Sequence, residues 1–269
     1  MSAEEVPSGL DERYIVPGLQ RGLQMLQTFT RDQQEQTAVE MAKKVGISRS
    51  TAFRIVYTLE ATGFLRRIQD THRYQLGSRV LELGYSFLAG KDLIEVASPI
   101  LKRLRDDTQT SSHLAVREGR EVVYVVRFQG NTSLISAMSV GSRLPAHASA
   151  PGRVLLTGLP LSEVVALYED YTFETYTQQT PTGMGALVGL VEDDRKSGSV
   201  ISWGFFDAGV ASVAAPVFNA ANKIEAAISV SCPINTYARD QFETEVRARV
   251  EEAAAEISRG LGFRAVAAA

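Results

Sequence analysis

The chain is poor in the residues that make disulfides, metal sites and membrane spans. Of its 269 residues one is cysteine, Cys232, so no intrachain disulfide can form and a reducing cytoplasm is the simplest compartment. Its three histidines, His72, His113 and His147, stand apart from each other and from Cys232 at no metal-ligand spacing, so neither a metal nor another cofactor is expected. No run of about 18 apolar residues occurs, which excludes a membrane partner for a helix. The opening MSAEEVPSGLDERYIVP is acidic and lacks a basic stretch followed by an apolar one, so it is not a secretory signal. There is no G-x-S-x-G elbow and no H-E-x-x-H helix. The glycines of GMGALVG (183–189) are spaced G-x-G-x-x-x-G with no apolar strand before them, which is not a nucleotide loop. With no nucleophile, base and orienting acid in view, no catalytic residue is assigned.

What is present suits two ordinary domains, each able to bury a core. The net charge of −3 argues against a nucleic-acid binder only while the chain is taken whole. Residues 17–80 carry 10 basic and 5 acidic side chains, whereas residues 81–269 carry 17 and 22. A basic N-terminal module joined to an acidic remainder is the distribution expected of a DNA reader with a sensor attached.

Local chemistry sets out the first module. After a polar arm with Pro7, Gly9 and Pro17, the residues Leu19, Leu23, Leu26, Met25 and Phe29 form a helical stripe that the polar TRDQQEQ ends. Thr37 and Glu40 make a T-x-x-E capping box for a second helix, buried through Ala38, Met41, Ala42 and Val45. Gly46 permits a tight turn, and Ser48 is a good N-cap for a third helix that stops at Gly63. In that helix Ala52, Ile55, Val56 and Leu59 recur on one side, leaving Arg49, Ser50, Phe53, Arg54 and Tyr57 on the other with no acid among them. FLRRIQDTHRYQL then reads as a two-stranded hairpin with a polar tip at 69–72. Three helices and a hairpin make a winged helix-turn-helix. Leu76, Val80, Leu83 and Phe87 continue at helical spacing, with Leu81, Tyr85 and Leu88 widening the apolar face into a candidate dimerisation surface.

Beyond a helix over about 93–108, strands and helices interleave. SSHLAVREG, REVVYVVRF and SLISAMSV read as neighbouring strands, and VASVAAPVF and KIEAAISVSCP as two more. ASAPGRVLLTGL, LSEVVALYED and MGALVGLVEDDRKSG read as helices, and DQFETEVRARVEEAAAEISRGLG as a long closing helix with Gly260 and Gly262 past its end. This is an α+β fold. The divisions expected are an arm (1–17), the winged module (18–76), a linker helix (77–91) and a sensor domain (92–269).

Five ordered blocks carry a resemblance: Arg21-Gly22-Leu23, SRSTAFRIVYTLEATGFL, YQLGSRVLELG, GSRLPAHASAPGRVLLTGL, and GVASVAAPVF with AAISVSCP. Across residues 18–263 the chain resembles the IclR family of bacterial transcriptional regulators. The resemblance implies a winged helix-turn-helix ahead of a GAF-like effector-binding domain, whose antiparallel sheet is packed with helices. It also implies a homodimer, which the family extends to a dimer of dimers. Where many members carry paired acids before the Gly-Val of the penultimate block, this chain has Gly204 and Phe205 in SWGFFDAGV, with Trp203 and Phe206 alongside and Asp207 nearer Gly209. A flatter, less negative surface suits an aromatic or otherwise apolar acid better than a small keto acid. YIVPGLQRGL resembles members that control aromatic-acid breakdown.

Site residues follow. Packing Ala52, Ile55 and Leu59 inward presents the third helix to the major groove of double-stranded operator DNA. Arg49 and Arg54 can each reach guanine or phosphate, Ser50 and Thr51 suit phosphates or base edges, and Phe53 and Tyr57 share the face. Arg66, Arg67 and Arg73 flank the hairpin and can approach the backbone or minor groove. One such module covers too short a half-site to select an operator, so two are paired through the linker helix. In the sensor domain Ala148-Ser149-Ala150-Pro151-Gly152 precedes a helix start, where free amides attract carboxylates. The resemblance places Ala150, Pro151, Ser202, Val210, Ser212, Ser229 and Ser231 in a pocket with Leu144 and Met138 as apolar wall. Ser229 and Ser231 share one strand face. Together they fit a small carboxylate, unless the serines merely satisfy backbone groups in a tight sheet. The competing reading is a GAF-like binder or enzyme whose N-terminal helices serve assembly.

Overall fold

The computed structural model describes residues 12–30, 32–89, 92–131 and 138–264. It divides into two compact units, Met1–Gly90 and Lys91–Ala269. Most of the expected arm lies outside the described residues, and Glu12–Tyr14 form a single 3-10 turn.

In the first unit, α1 (Pro17–Gln27) starts on a proline, whose missing N–H is no loss in the first turn. The helix buries Gly22 and Met25, and Gly22 lies against Ile55 of the third helix. Leu19 and Leu23 of the helical stripe are 63% and 52% exposed. The packed side is centred about one residue away from the leucines, with Leu26 and Phe29 at its edge. α2 (Ala38–Val45) carries the Thr37–Glu40 capping box: the Glu40 amide donates to Thr37 Oγ1 at 3.2 Å and the Thr37 amide to Glu40 Oε2 at 2.7 Å. Gly46 closes α2 in the left-handed region at φ 73°, and the side chain of Ser48 caps α3 (Arg49–Ala61) through the Thr51 amide. The wing has three strands, one more than expected: β1 (Gln36–Thr37) joins β2 (Leu65–Arg67) and β3 (Arg73–Leu76) in the order β1-β3-β2. Leu76 belongs to β3, and the linker helix α4 begins later, at Arg79–Ala89.

The Thr37 amide and hydroxyl, both donating to Glu40, keep its carboxyl below the usual range, and Arg73 and Lys44 add to the effect. Its contribution is therefore complete above about pH 4.5 and is lost as the pH falls below that. Glu40→Ala should cost about 1 kcal/mol at neutral pH. Urea unfolding of both proteins at pH 7 and pH 3 checks this, the difference shrinking at the lower pH.

The second unit is a six-stranded antiparallel sheet in the order β6-β5-β4-β9-β8-β7. Its strands are β4 (Ser111–Glu118), β5 (Glu121–Phe128), β6 (Arg143–Pro145), β7 (Val200–Trp203), β8 (Val210–Phe218) and β9 (Ile224–Pro233). The short β6 and β7 were not expected, and the expected strand over 133–140 falls largely outside the described residues, with 138–140 not in a strand. α5 (Asp92–Thr108) covers one face, where Ser112 Oγ donates to the Leu101 carbonyl at 2.7 Å. α10 (Arg247–Gly260) packs beside it, entered from α9 (Arg239–Gln241) through a π-helical turn at Phe242–Val246. Gly260 is its last residue rather than lying past its end. α6 (Ala150–Thr157), α7 (Leu161–Leu167) and α8 (Met184–Ser197) are built over the other face. Val154, Leu156, Leu187 and Val191 close on Ala115, Ala214 and Ala227 there. With both faces covered, β4 and β9 are buried almost without alternation.

Candidate functional site

On α3, Ala52 and Val56 are buried while Arg49, Ser50, Phe53, Arg54 and Tyr57 are exposed, so the helix has an anchored side and a free basic side within its unit. Thr51 is half-buried and engaged with the cap, its Oγ1 lying 2.9 Å from Ser48 Oγ. The wing arginines are all exposed but differ in freedom. Arg67 Nε donates to the Thr71 carbonyl at 3.0 Å, which braces the wing tip. Arg73 donates to the Glu35 carbonyl at 3.2 Å and lies 3.9 Å from Glu40, so it ties the wing to the capping box. Arg66 lies against the Gln75 amide. Beside the basic face runs an apolar groove of about 1050 Å³, walled by Leu19, Leu23, Leu26 and Leu83, with Phe53 and Tyr57 on its lining.

In the second unit a cavity of about 270 Å³ opens between the sheet and the start of α6. Strand register builds its floor. Ser202 of β7 pairs with Ser212 of β8, and Ser212 with Ser231 of β9, giving three hydroxyls in one cross-strand row. In the next row Ser229 pairs with His113 of β4. Met138, Leu144, Ser149, Pro151 and Val210 complete the predicted residues of its wall. Ala150 and Gly152 are not in that wall. Ala150 is in the core, and Gly152 meets the backbone of Ala146 so closely that a Cβ has no room. Ser149 caps α6, its hydroxyl accepting from the Gly152 amide at 3.3 Å and donating to the Pro145 carbonyl at 3.1 Å. Among the described residues no lysine or arginine lines the cavity.

Six wall residues lie outside the predicted ligand contacts: His113, Tyr124, Ala148, Phe205, Phe206 and Asp207. The strand alternation already puts His113 on the face that Ser229 shares, but the pairing of β4 with β9 spans more than a hundred residues and is not legible locally. The roof is the β7–β8 turn. Gly204 adopts φ 80°, and Thr177 and Thr180 hold the Gly204 and Phe205 carbonyls, each at 2.6 Å. Trp203 does not join Phe205 and Phe206 there, since its indole points the other way and donates to Glu243 at 2.9 Å. Asp207 does stand in the wall, with Oδ1 accepting from the Gly209 amide at 2.9 Å. Behind the roof, Arg153 is stacked 4.6 Å from the Phe205 ring and holds Asp194 at 2.7 and 2.5 Å, both side chains buried. Burial pushes the Asp194 carboxyl up, and the guanidinium opposes that.

The buried imidazole of His113 is the most perturbed group of the wall. Burial drives its pKa down to about 3, and Arg127 nearby acts in the same direction. It is therefore neutral near pH 7. Burial raises the Tyr124 phenol, which likewise stays neutral.

This pairing of a basic helix-turn-helix with a separate cavity-bearing domain has a known counterpart. Residues 18–69 match the family profile described as the IclR helix-turn-helix domain, and residues 85–259 the bacterial transcriptional regulator IclR C-terminal domain. The chain belongs to the IclR family. It is 30% identical to the HTH-type transcriptional regulator XynR of Escherichia coli K12 over 93% of this chain and 99% of that protein. The crystal structure of Thermotoga maritima IclR, 25% identical, superposes with a TM-score of 0.77 over 91% of this chain and 98% of the other. An IclR homolog from Microbacterium hydrocarbonoxydans complexed with 4-hydroxybenzoate, 28% identical, also gives 0.77 with the same coverage. This IclR-family chain is thus a DNA-binding transcriptional regulator with a C-terminal effector domain, and the enzyme reading is not favoured. No described helix is long and apolar enough to cross a membrane.

Proposed function

We propose that this regulator reads its operator with the exposed face of α3 and is controlled by a small aromatic carboxylic acid held in the serine-floored cavity. The observation that carries the second half is the cavity itself, where hydroxyls from three strands face a wall that is apolar and aromatic but for Asp207 and His113. Few, convergent polar groups in an apolar hollow bind and orient a small ligand. The relative complexed with 4-hydroxybenzoate supports this ligand class. Arg49 and Arg54 supply base or phosphate contacts, with Ser50, Thr51, Phe53 and Tyr57 around them and Arg66 and Arg67 reaching the flanking backbone. The arm (1–17), winged module (18–76), linker (77–91) and sensor (92–269) divide this work in the cytoplasm, where the DNA is.

The working form is a homodimer, which can pair again into a tetramer. Leu81 and Leu83 on α4 are 75% and 61% exposed, and with Leu19 and Leu23 they leave apolar surface that a second copy would cover.

A thermal-shift screen of aromatic and aliphatic acids tests the ligand class. An acid present at 100 times its Kd adds roughly 2.7 kcal/mol to the folded state. Aromatic acids should raise the melting temperature by several degrees and small keto acids should not. The reverse ranking would refute the proposal.

A further inference from the structure

The strand register grades the cavity floor from one end to the other. Across the sheet, Arg127 of β5 pairs with His113 of β4, and His113 with Ser229 of β9. One two-residue step along the strands comes the row of Ser231, Ser212 and Ser202, and one step further Val210. Asp207 stands just beyond Val210, in the turn that joins β7 to β8. Each step is about 7 Å, so the first row and Val210 lie about 14 Å apart along the strands.

The two ends differ in charge. Arg127 does not line the cavity, but it donates to the carbonyl of Met138, which does, and its charge reaches His113. At the far end Asp207 is the only carboxylate among the described lining residues, and among the described residues no cation pairs with it. Asp207 is exposed whereas Ser202 and Ser229 are buried, so the carboxylate marks the mouth of the cavity. Behind Phe205, Arg153 and Asp194 offset one another and add little net charge. An acid therefore meets least repulsion with its carboxylate on Ser229 and Ser231, toward Arg127, and its other end toward Asp207.

We propose that Asp207 is the specificity-determining residue of the cavity, admitting aromatic acids with one carboxylate and a neutral or cationic far end and refusing dicarboxylates. This rests on the effector reading above and goes further, because it fixes which way round the ligand lies and names the class turned away. A site discriminates by what it repels as well as by what it holds. Since Asp207 is exposed, its effect is that of a partly screened charge, about fivefold in affinity.

Titration calorimetry on the full chain tests this with three probes that differ in charge at the far end: 4-(aminomethyl)benzoate, 4-methylbenzoate and terephthalate. The wild type should bind terephthalate about tenfold or more weaker than 4-methylbenzoate. Asp207→Asn keeps the oxygen that accepts from the Gly209 amide at 2.9 Å and removes the charge. In D207N, terephthalate should gain about fivefold relative to 4-methylbenzoate, and the ammonium probe should lose by a similar factor. A second carboxylate is costly to desolvate in either protein, so the change between the two proteins isolates Asp207. A gap unmoved in D207N, or terephthalate binding the wild type as tightly as 4-methylbenzoate, overturns the proposal and leaves the effector reading intact. No binding of any of the acids overturns both. Should D207N fail to fold, salt supplies a second readout on the wild type. Raising it from about 0.05 M to about 0.5 M should narrow the terephthalate gap, because screening weakens repulsion from an exposed charge. A gap that stays or widens overturns the proposal.

Discussion

Alanine at both Arg49 and Arg54 should lower operator affinity by roughly a hundredfold or more, because each good base contact is worth about 1–3 kcal/mol and the proposed dimer would lose every contact twice. Both side chains are exposed on α3, so nothing in the core is disturbed. Thermal unfolding should match the wild type within about 0.5 kcal/mol. Filter binding at several salt concentrations separates the roles of the two arginines. Loss of a phosphate contact flattens the salt dependence by about one unit of slope per contact, while loss of a base contact relaxes sequence preference. Wild-type affinity in the double variant would place the reading face elsewhere. The contrast with Arg73 sharpens the test. Since Arg73 holds Glu35 and lies near Glu40, Arg73→Ala acts first on wing geometry.

The second large effect lies in the effector domain. Asp194→Ala leaves the Arg153 guanidinium buried without its carboxylate, which costs about 3–5 kcal/mol. In a unit of this size that lowers the melting temperature by on the order of 10 °C. The Arg153→Met, Asp194→Leu pair should recover most of the loss, since a buried ion pair exchanged whole for apolar side chains is often neutral. The same double variant removes the cation behind Phe205, so acid binding should weaken even where stability returns. A D194A protein within about 1 kcal/mol of wild type would mean that water reaches the pair.

Much of the N-terminal unit is legible because its signals are local. Thr37 and Glu40 are three residues apart, Gly46 takes the left-handed turn only a small residue accepts easily, and Ser48 caps the helix that follows. The cover of Leu19 and Leu23 is not legible in the same way. Periodicity marks an apolar face but does not say which neighbour covers it, and within the unit Gly22 and Met25 take the contact. In the second unit long strands were readable and short ones were not. β6 and β7, of three and four residues, are too brief to show alternation and are stabilised by their partners. The parity of Ser229 and Ser231 survived intact, since a strand face follows from counting by two. His113 escaped notice for the opposite reason, as its meaning comes from a register with β9 that only the folded sheet creates.

The proposed operator-reading face and effector cavity regulate transcription only if they are coupled. Linkage requires the coupling to be reciprocal, so if the acid changes operator affinity by some factor, the operator changes acid affinity by the same factor. The decisive measurement is operator affinity of the full-length protein with and without saturating 4-hydroxybenzoate, paired with acid affinity with and without saturating operator. The two ratios should agree and differ from one by about fivefold or more, the usual range of such couplings. An operator affinity unmoved by an acid that fills the cavity would contradict the account.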